Sequence, residues 1–146
     1  MKLSKHNVEQ MARGHLMYEL ARRGYNVQIT DSRFPAYDLL VVSPSGEHFG
    51  IEVKGQSTKN FWRFNDRDPH RDMYYAFVYV PQDGTPRVFI MNSKETMKLW
   101  NEYKARSIRI SSSKGKSVDP EDPGIMWGLR WTQTIPFEDY YNALPK

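Results

Sequence analysis

The chain has no cysteine among its 146 residues. That one absence excludes disulfides, a zinc–thiolate centre and a thiol nucleophile. No apolar run approaches the ~18 residues of a membrane-spanning helix, and no signal peptide is visible, so a cytoplasmic protein is expected. Also missing are a Gly-rich phosphate loop, a Ser-His-Asp arrangement, zinc-ligand spacing and any internal repeat. Charge is plentiful: 21 Lys and Arg stand against 17 Asp and Glu, giving +4 and a pI near 9.3. The excess fits a polyanion such as nucleic acid, although many proteins that bind none carry as much. With a mean hydropathy of −0.72 and 14% aromatics, the chain reads as one soluble globular domain, residues 1–146, long enough for a core.

What the chain does contain is organised around residues 37–56, which read as two strands and a tight turn. Asp38-Leu-Leu-Val-Val is apolar after its first residue, and Phe49-Gly-Ile-Glu-Val-Lys alternates. Ser43-Pro-Ser-Gly46 is turn chemistry, with proline presetting φ and glycine free to take φ > 0. Phe49, Ile51 and Val53 then share one strand face, and Glu52, Lys54 and Gln56 the other. With the turn centred on Ser45, Asp38 stands opposite Glu52. Opposed β-carbons lie ~4.5–5.5 Å apart, and like charges so placed destabilise a sheet.

A divalent cation removes that penalty. Mg²⁺ takes one or two carboxylates and leaves its other positions to water and phosphate oxygens. Asp38 and Glu52 are therefore candidate Mg²⁺ ligands, with Mn²⁺ able to substitute, and Lys54 is placed to hold an attacking water or steady a phosphate. An exposed polar strand face carrying a Glu–Lys pair produces the same short pattern.

Asp38 followed by Glu52-Val53-Lys54 resembles the signature of the PD-(D/E)xK nuclease superfamily, in its small Holliday-junction-resolvase-like and restriction-endonuclease-like branches. The resemblance runs from the first helix to the strand after Gln56. It implies an α/β fold, a restriction-endonuclease-like mixed central sheet flanked by helices with an αβββαβ core. It further implies that the Val53 carbonyl joins Asp38 and Glu52 on the metal, that Lys54 orients or activates water, and that Gln56 is a polar neighbour on the same face. Pro35 stands three residues ahead of Asp38 instead of adjoining it. Family members also carry a glutamate on the first helix. Glu9, at the helix end nearer Asp38, fits better than Glu19, ten residues on and ~15 Å further along the axis. Aligning the helix with similar ones puts that glutamate position at Arg13, a second departure; Glu9 also reads as a solvated first-turn acid.

The remaining elements follow from pattern. Val8 to Arg23 is a helix by the spacing of Val8, Met11, Ala12, Leu16 and Leu20, with Ser4 or Asn7 as cap and Gly24 just past its end. Residues 25–30 alternate as a strand. The segment 57–72 interleaves Lys59, Arg63, Arg67 and Arg71 with Phe61, Trp62 and Phe64. Lys59, Trp62, Arg63 and Arg67 are its candidate DNA contacts, by phosphate pairing and base stacking. The plainer reading puts the aromatics in the core and the charges in water. Residues 74–80 are a buried strand, Asp83-Gly84 a hairpin turn, and 87–91 the returning strand. Asn92 and Glu95 form a capping box for a second helix over 93–104. Residues 105–124 are expected to be a mobile basic loop offering Arg109, Lys114 and Lys116 to DNA, or an ordinary flexible loop. Residues 125–131 suggest a last strand and 136–144 a short helix.

Together these readings predict a Mg²⁺-dependent endodeoxyribonuclease that binds DNA, with a homodimer compatible with cutting both strands. A non-catalytic nucleic-acid-binding or assembly module of the same fold is the alternative. An enzyme acting on another phosphate ester is a third.

Overall fold

The computed structural model describes residues 2–30, 37–65 and 73–146. Helix α1 spans Lys5–Arg22 and opens on a reciprocal cap: the Ser4 hydroxyl accepts from the Asn7 amide, and the Asn7 side chain accepts from the Ser4 amide. Val8, Ala12, Leu16 and Leu20 form its buried stripe, while Met11 is left exposed. Gly24, at φ +89°, ends it in the left-handed conformation that an L side chain disfavours.

Strands β1 (Asn26–Ile29), β2 (Leu39–Val42) and β3 (His48–Gln56) follow as an antiparallel meander. The turn at Ser43–Gly46 is the expected one, with Gly46 at φ +96°. It sets the register Leu39↔Ile51 through Val42↔His48, which places Asp38 opposite Glu52 as the sequence predicted. β4 is only Trp62–Arg63. β5 (Met73–Tyr79) lies parallel to β3, and β6 (Arg87–Asn92) returns antiparallel beside it. The mixed five-stranded sheet has the order β1-β2-β3-β5-β6. Helix α2 (Ser93–Ser113) comes next, capped by Asn92, whose side chain accepts from the Glu95 amide. Strand β7 (Gly128–Leu129) pairs with β4 in a separate two-stranded sheet, and α3 is the single turn Trp131–Thr134.

The protein is thus α/β with a mixed five-stranded sheet and flanking helices. Among the described residues no helix lies between β3 and β5; the second long helix follows β6. The described part of that connection lacks a helical apolar period and instead alternates, with Trp62 and Phe64 buried and Arg63 exposed between them. The basic loop at 105–124 is shorter than expected, because α2 continues to Ser113. Tyr103 and Ile108 keep the helical spacing and pack against the aromatic core, which outweighs the low propensity of the serines. The strand over 125–131 shrinks to Gly128–Leu129, and the helix over 136–144 is two 3₁₀ turns, Ile135–Phe137 and Tyr141–Ala143.

The sheet divides the core in two. On one face α1 packs its stripe on Leu39, Val41, Phe49, Ile51 and Val78. On the other, α2 and the small sheet enclose Trp62, Phe64, Tyr75, Phe77, Phe89, Trp100 and Leu129. One contact fixes the depth of α1. A β-carbon on Gly55 of β3 would lie 2.7 Å from the Ala12 β-carbon and 3.3 Å from the Val8 carbonyl oxygen, so helix and strand meet there because neither residue is large. This draws the polar flank of α1, with Glu9 and Arg13, up to the end of β3.

Candidate active site

β2 stops at its Leu39 pairing, whereas β3 runs on to Gln56. Among the described residues the β2 side of β3 is therefore open over its last residues, and Asp38 sits at the break. The Asp38 amide donates to the Ile51 carbonyl at 3.0 Å, and its side-chain Oδ2 accepts from the Val53 amide at 2.7 Å. The carboxylate takes the place of the next backbone acceptor and ends the ladder. Among the described residues Oδ1 of the same group takes no hydrogen bond. Because the N–H and C=O of one strand residue point to the same side, the Val53 carbonyl faces the same open edge. Thr30 braces the turn into this residue by donating from its hydroxyl to the Tyr37 carbonyl at 2.7 Å.

Glu52 is 6% exposed, an unusual burial for a carboxylate, which calls for a compensating charge. Lys54 supplies one: its Nζ lies 3.3 Å from Glu52 Oε1 and 5.9 Å from the centre of the Phe64 ring. Gln56 donates from Nε2 to the Asn60 carbonyl at 2.6 Å, so it ties the strand end to the following loop.

Asp38, Glu52, Val53, Lys54 and Gln56 all line one cleft of about 600 Å³, and Glu9 stands on its α1 wall. Glu9 is exposed and 4.0 Å from the Lys5 ammonium, a weak surface pair. The cleft carries three carboxylates, Glu9, Asp38 and Glu52, and four cations, Lys5, Arg13, Lys54 and Arg63. Arg13 makes no ion pair or side-chain hydrogen bond among the described residues.

No family model, curated protein or solved structure matches this chain. The chemistry of the cleft rests on its own donors.

Those donors are oxygens, two carboxylates and a backbone carbonyl with no imidazole among the described residues of the lining, the set that suits Mg²⁺ or Mn²⁺ rather than zinc or copper. Among the described residues no group of three or more His, Asp or Glu side chains gathers to hold an ion. Two carboxylates with water and phosphate completing the shell is nevertheless the ordinary Mg²⁺ arrangement, so the residues fit it.

The candidate DNA contacts fare differently. Arg63 lines the cleft, its guanidinium 5.3 Å from the centre of the Phe61 ring. Trp62 is among the cleft-lining residues, but it is only 2% exposed, its ring stacked at 6.0 Å on Trp131 and edge-on to Phe77 in the aromatic core. Strand alternation decides this, turning Trp62 inward and Arg63 outward. Lys59 sits 5.7 Å from the Tyr79 ring and 5.9 Å from the Trp131 ring, away from the cleft lining. Arg109 is exposed on α2, Lys114 is its C-cap and Lys116 follows; none of the three lines the cleft. Arg67 lies outside the described residues.

Sequence reasoning missed the cleft roles of Lys5, Gly55 and Met126. Lys5 is four residues ahead of Glu9, a spacing that puts both on one helix face. Met126 carried no signal in the sequence.

Proposed function

We propose that this cleft hydrolyses DNA phosphodiester bonds with a divalent cation, on a sheet organised like that of the restriction-endonuclease-like nucleases. One observation carries the reading: Asp38, locked by the Val53 amide, and the buried Glu52–Lys54 pair converge at the open end of β3 inside a cleft. Asp38 and Glu52 hold the ion, and the Val53 carbonyl is the third protein oxygen. When bound, the cation polarises the scissile phosphate and acidifies a water. Asp38 needs no reorganisation to serve, because its backbone hydrogen bond already fixes the carboxylate. The Lys54 ammonium, held 3.3 Å from Glu52, donates to the attacking water or to the non-bridging oxygen on which charge develops. Glu9 extends the acidic wall and Gln56 fixes the loop beside it. The net positive chain favours the nucleic-acid polyanion over a small phosphate ester.

The test is cleavage of supercoiled plasmid, linear duplex and a four-way junction in Mg²⁺, Mn²⁺ or EDTA, beside Asp38→Asn and Lys54→Met. Asn keeps an acceptor for the Val53 amide while losing the charge. Metal-dependent cutting is expected, with each variant slower by about 10²–10³-fold and DNA binding retained. Cutting at the wild-type rate by both purified variants refutes the assignment. Binding without turnover by the wild type favours the non-catalytic module, for which Arg13, a cation at the helix position of an expected acid, is the supporting observation.

A further inference from the structure

The three carboxylates of the cleft have a use in holding a cation; the two guanidiniums do not. Arg13 comes from α1, on one face of the sheet, and Arg63 from β4, on the other, so they stand on opposite walls above the open end of β3. Neither makes an ion pair or side-chain hydrogen bond among the described residues, and the Arg63 guanidinium lies 5.3 Å from the centre of the Phe61 ring. Guanidinium stays protonated at any working pH and is suited to bidentate phosphate contact. Two such groups on the lining of one cleft, neither in an ion pair among the described residues, suit the receipt of anionic oxygens.

The wall beside Arg63 is apolar. The Phe61 ring is half-buried and stacked on Tyr103 at 5.8 Å and 13°, and Tyr103 is held edge-on by Trp127. Met126, 43% exposed, completes this side of the cleft. A ring fixed in this way is a platform for another flat ring.

Building on the reading of the cleft as a phosphodiester site, we propose that it receives an unpaired stretch of DNA strand. Arg13 and Arg63 hold its phosphates from opposite walls, and a base packs on Phe61 beside Met126. The substrate class is therefore DNA that is single-stranded at the point of attack, such as a flap, a gap or a junction opened at its branch.

The test measures binding in EDTA, where no cutting occurs, by anisotropy of labelled oligothymidine, a duplex of equal length and a duplex with a single-stranded flap. Oligothymidine and flap are expected to bind more tightly than the duplex. Phe61→Ala should weaken binding of the unpaired strand by roughly 5- to 150-fold, the range for loss of one aromatic–base stack, with little change for duplex. Phe61→Leu should behave as Phe61→Ala does and Phe61→Tyr as wild type, which separates stacking from a folding defect. Arg13→Ala and Arg63→Ala should each lower the slope of log K against log salt by ~0.7 for the single strand. Duplex bound as tightly as the unpaired strand, or Phe61→Leu without effect, overturns the proposal. Strand binding as expected with no cutting in Mg²⁺ leaves it standing and defeats the nuclease reading. Cutting of plain duplex with no strand preference does the reverse.

Discussion

Replacing Gly55 by alanine adds one methyl where α1 rests on β3. That carbon would lie 2.7 Å from Ala12 Cβ and 3.3 Å from the Val8 carbonyl oxygen. Carbon atoms in contact sit at about 3.5–4.0 Å, so helix and strand must separate by about 1 Å. The nearest atoms belong to a rigid stub and a backbone carbonyl, so no flexible side chain can swing away. Overpacking of this kind costs about 1–3 kcal/mol. At roughly 4 °C per kcal/mol for a domain of this size, Tm should fall by about 4–12 °C. The same displacement carries Glu9 and Arg13 away from Asp38 and Lys54, and a shift of ~1 Å at a reacting centre is worth up to about 10²-fold in kcat/KM. Thermal unfolding and cleavage kinetics on Gly55→Ala, Ala12→Gly and the double variant measure both effects. Ala12→Gly alone costs ~1 kcal/mol in helix propensity but removes the opposing methyl, so the double variant should lose less than the two singles together and regain part of the activity. Additive losses, or a Gly55→Ala protein as stable and active as wild type, refute the close-approach argument.

Two further expectations concern the frame around the cleft. A β-carbon on Gly128 would lie 1.7 Å from the Trp62 carbonyl oxygen, so Gly128→Ala must break the β4–β7 pairing; a loss of about 3 kcal/mol and a weakened near-ultraviolet signal from the Trp62–Trp131 stack are expected in unfolding and circular dichroism. Arg87 donates to both carboxylate oxygens of Glu138 at 2.7 Å, fastening the chain after α3 to β6 and holding the Glu138 carboxyl below its ordinary 4.5. A depressed carboxyl stabilises above its unfolded pKa and loses that contribution as pH falls through the folded value. Glu138→Gln should therefore lower Tm by about 4 °C at pH 7, for a partly exposed pair worth about 1 kcal/mol, and by less at acid pH as the carboxyl takes up its proton. An equal loss at both pH values would mean that packing, not charge, fastens this segment.

The hairpin was legible because everything that sets it is local. A four-residue turn with proline and glycine in fixed places determines which residues oppose each other, and period-two alternation does the rest, so Asp38 and Glu52 could be paired before any fold was known. The stripe of α1 and the Gly24 stop were legible for the same reason. The burial of Trp62 was not legible because a basic–aromatic alternation looks the same whether the strand lies on a surface or on a core. Only the distant partners Trp131, Phe77 and Phe89 decide that the ring is inside. The second helix was cut short in the reading for a similar reason: serines over 111–113 have poor propensity, and the contacts that carry the helix past them lie far along the chain. Gly55 beside the proposed lysine is a single small residue; its meaning depends on Ala12, brought close only when the helix docks.

The short β2 has a consequence beyond chemistry. Over its last residues β3 has no β2 partner among the described residues, the kind of border that recruits a strand from another molecule. Asp38 meets that threat with its own side chain, capping the Val53 amide with a negative group to which no incoming backbone can be added. Replacing Asp38 by a strand-forming apolar residue would lengthen the ladder, leave the amide seeking an acceptor and turn the mouth of the cleft into a sticky border. The acid that gives this site its charge is also what keeps the sheet from growing through it.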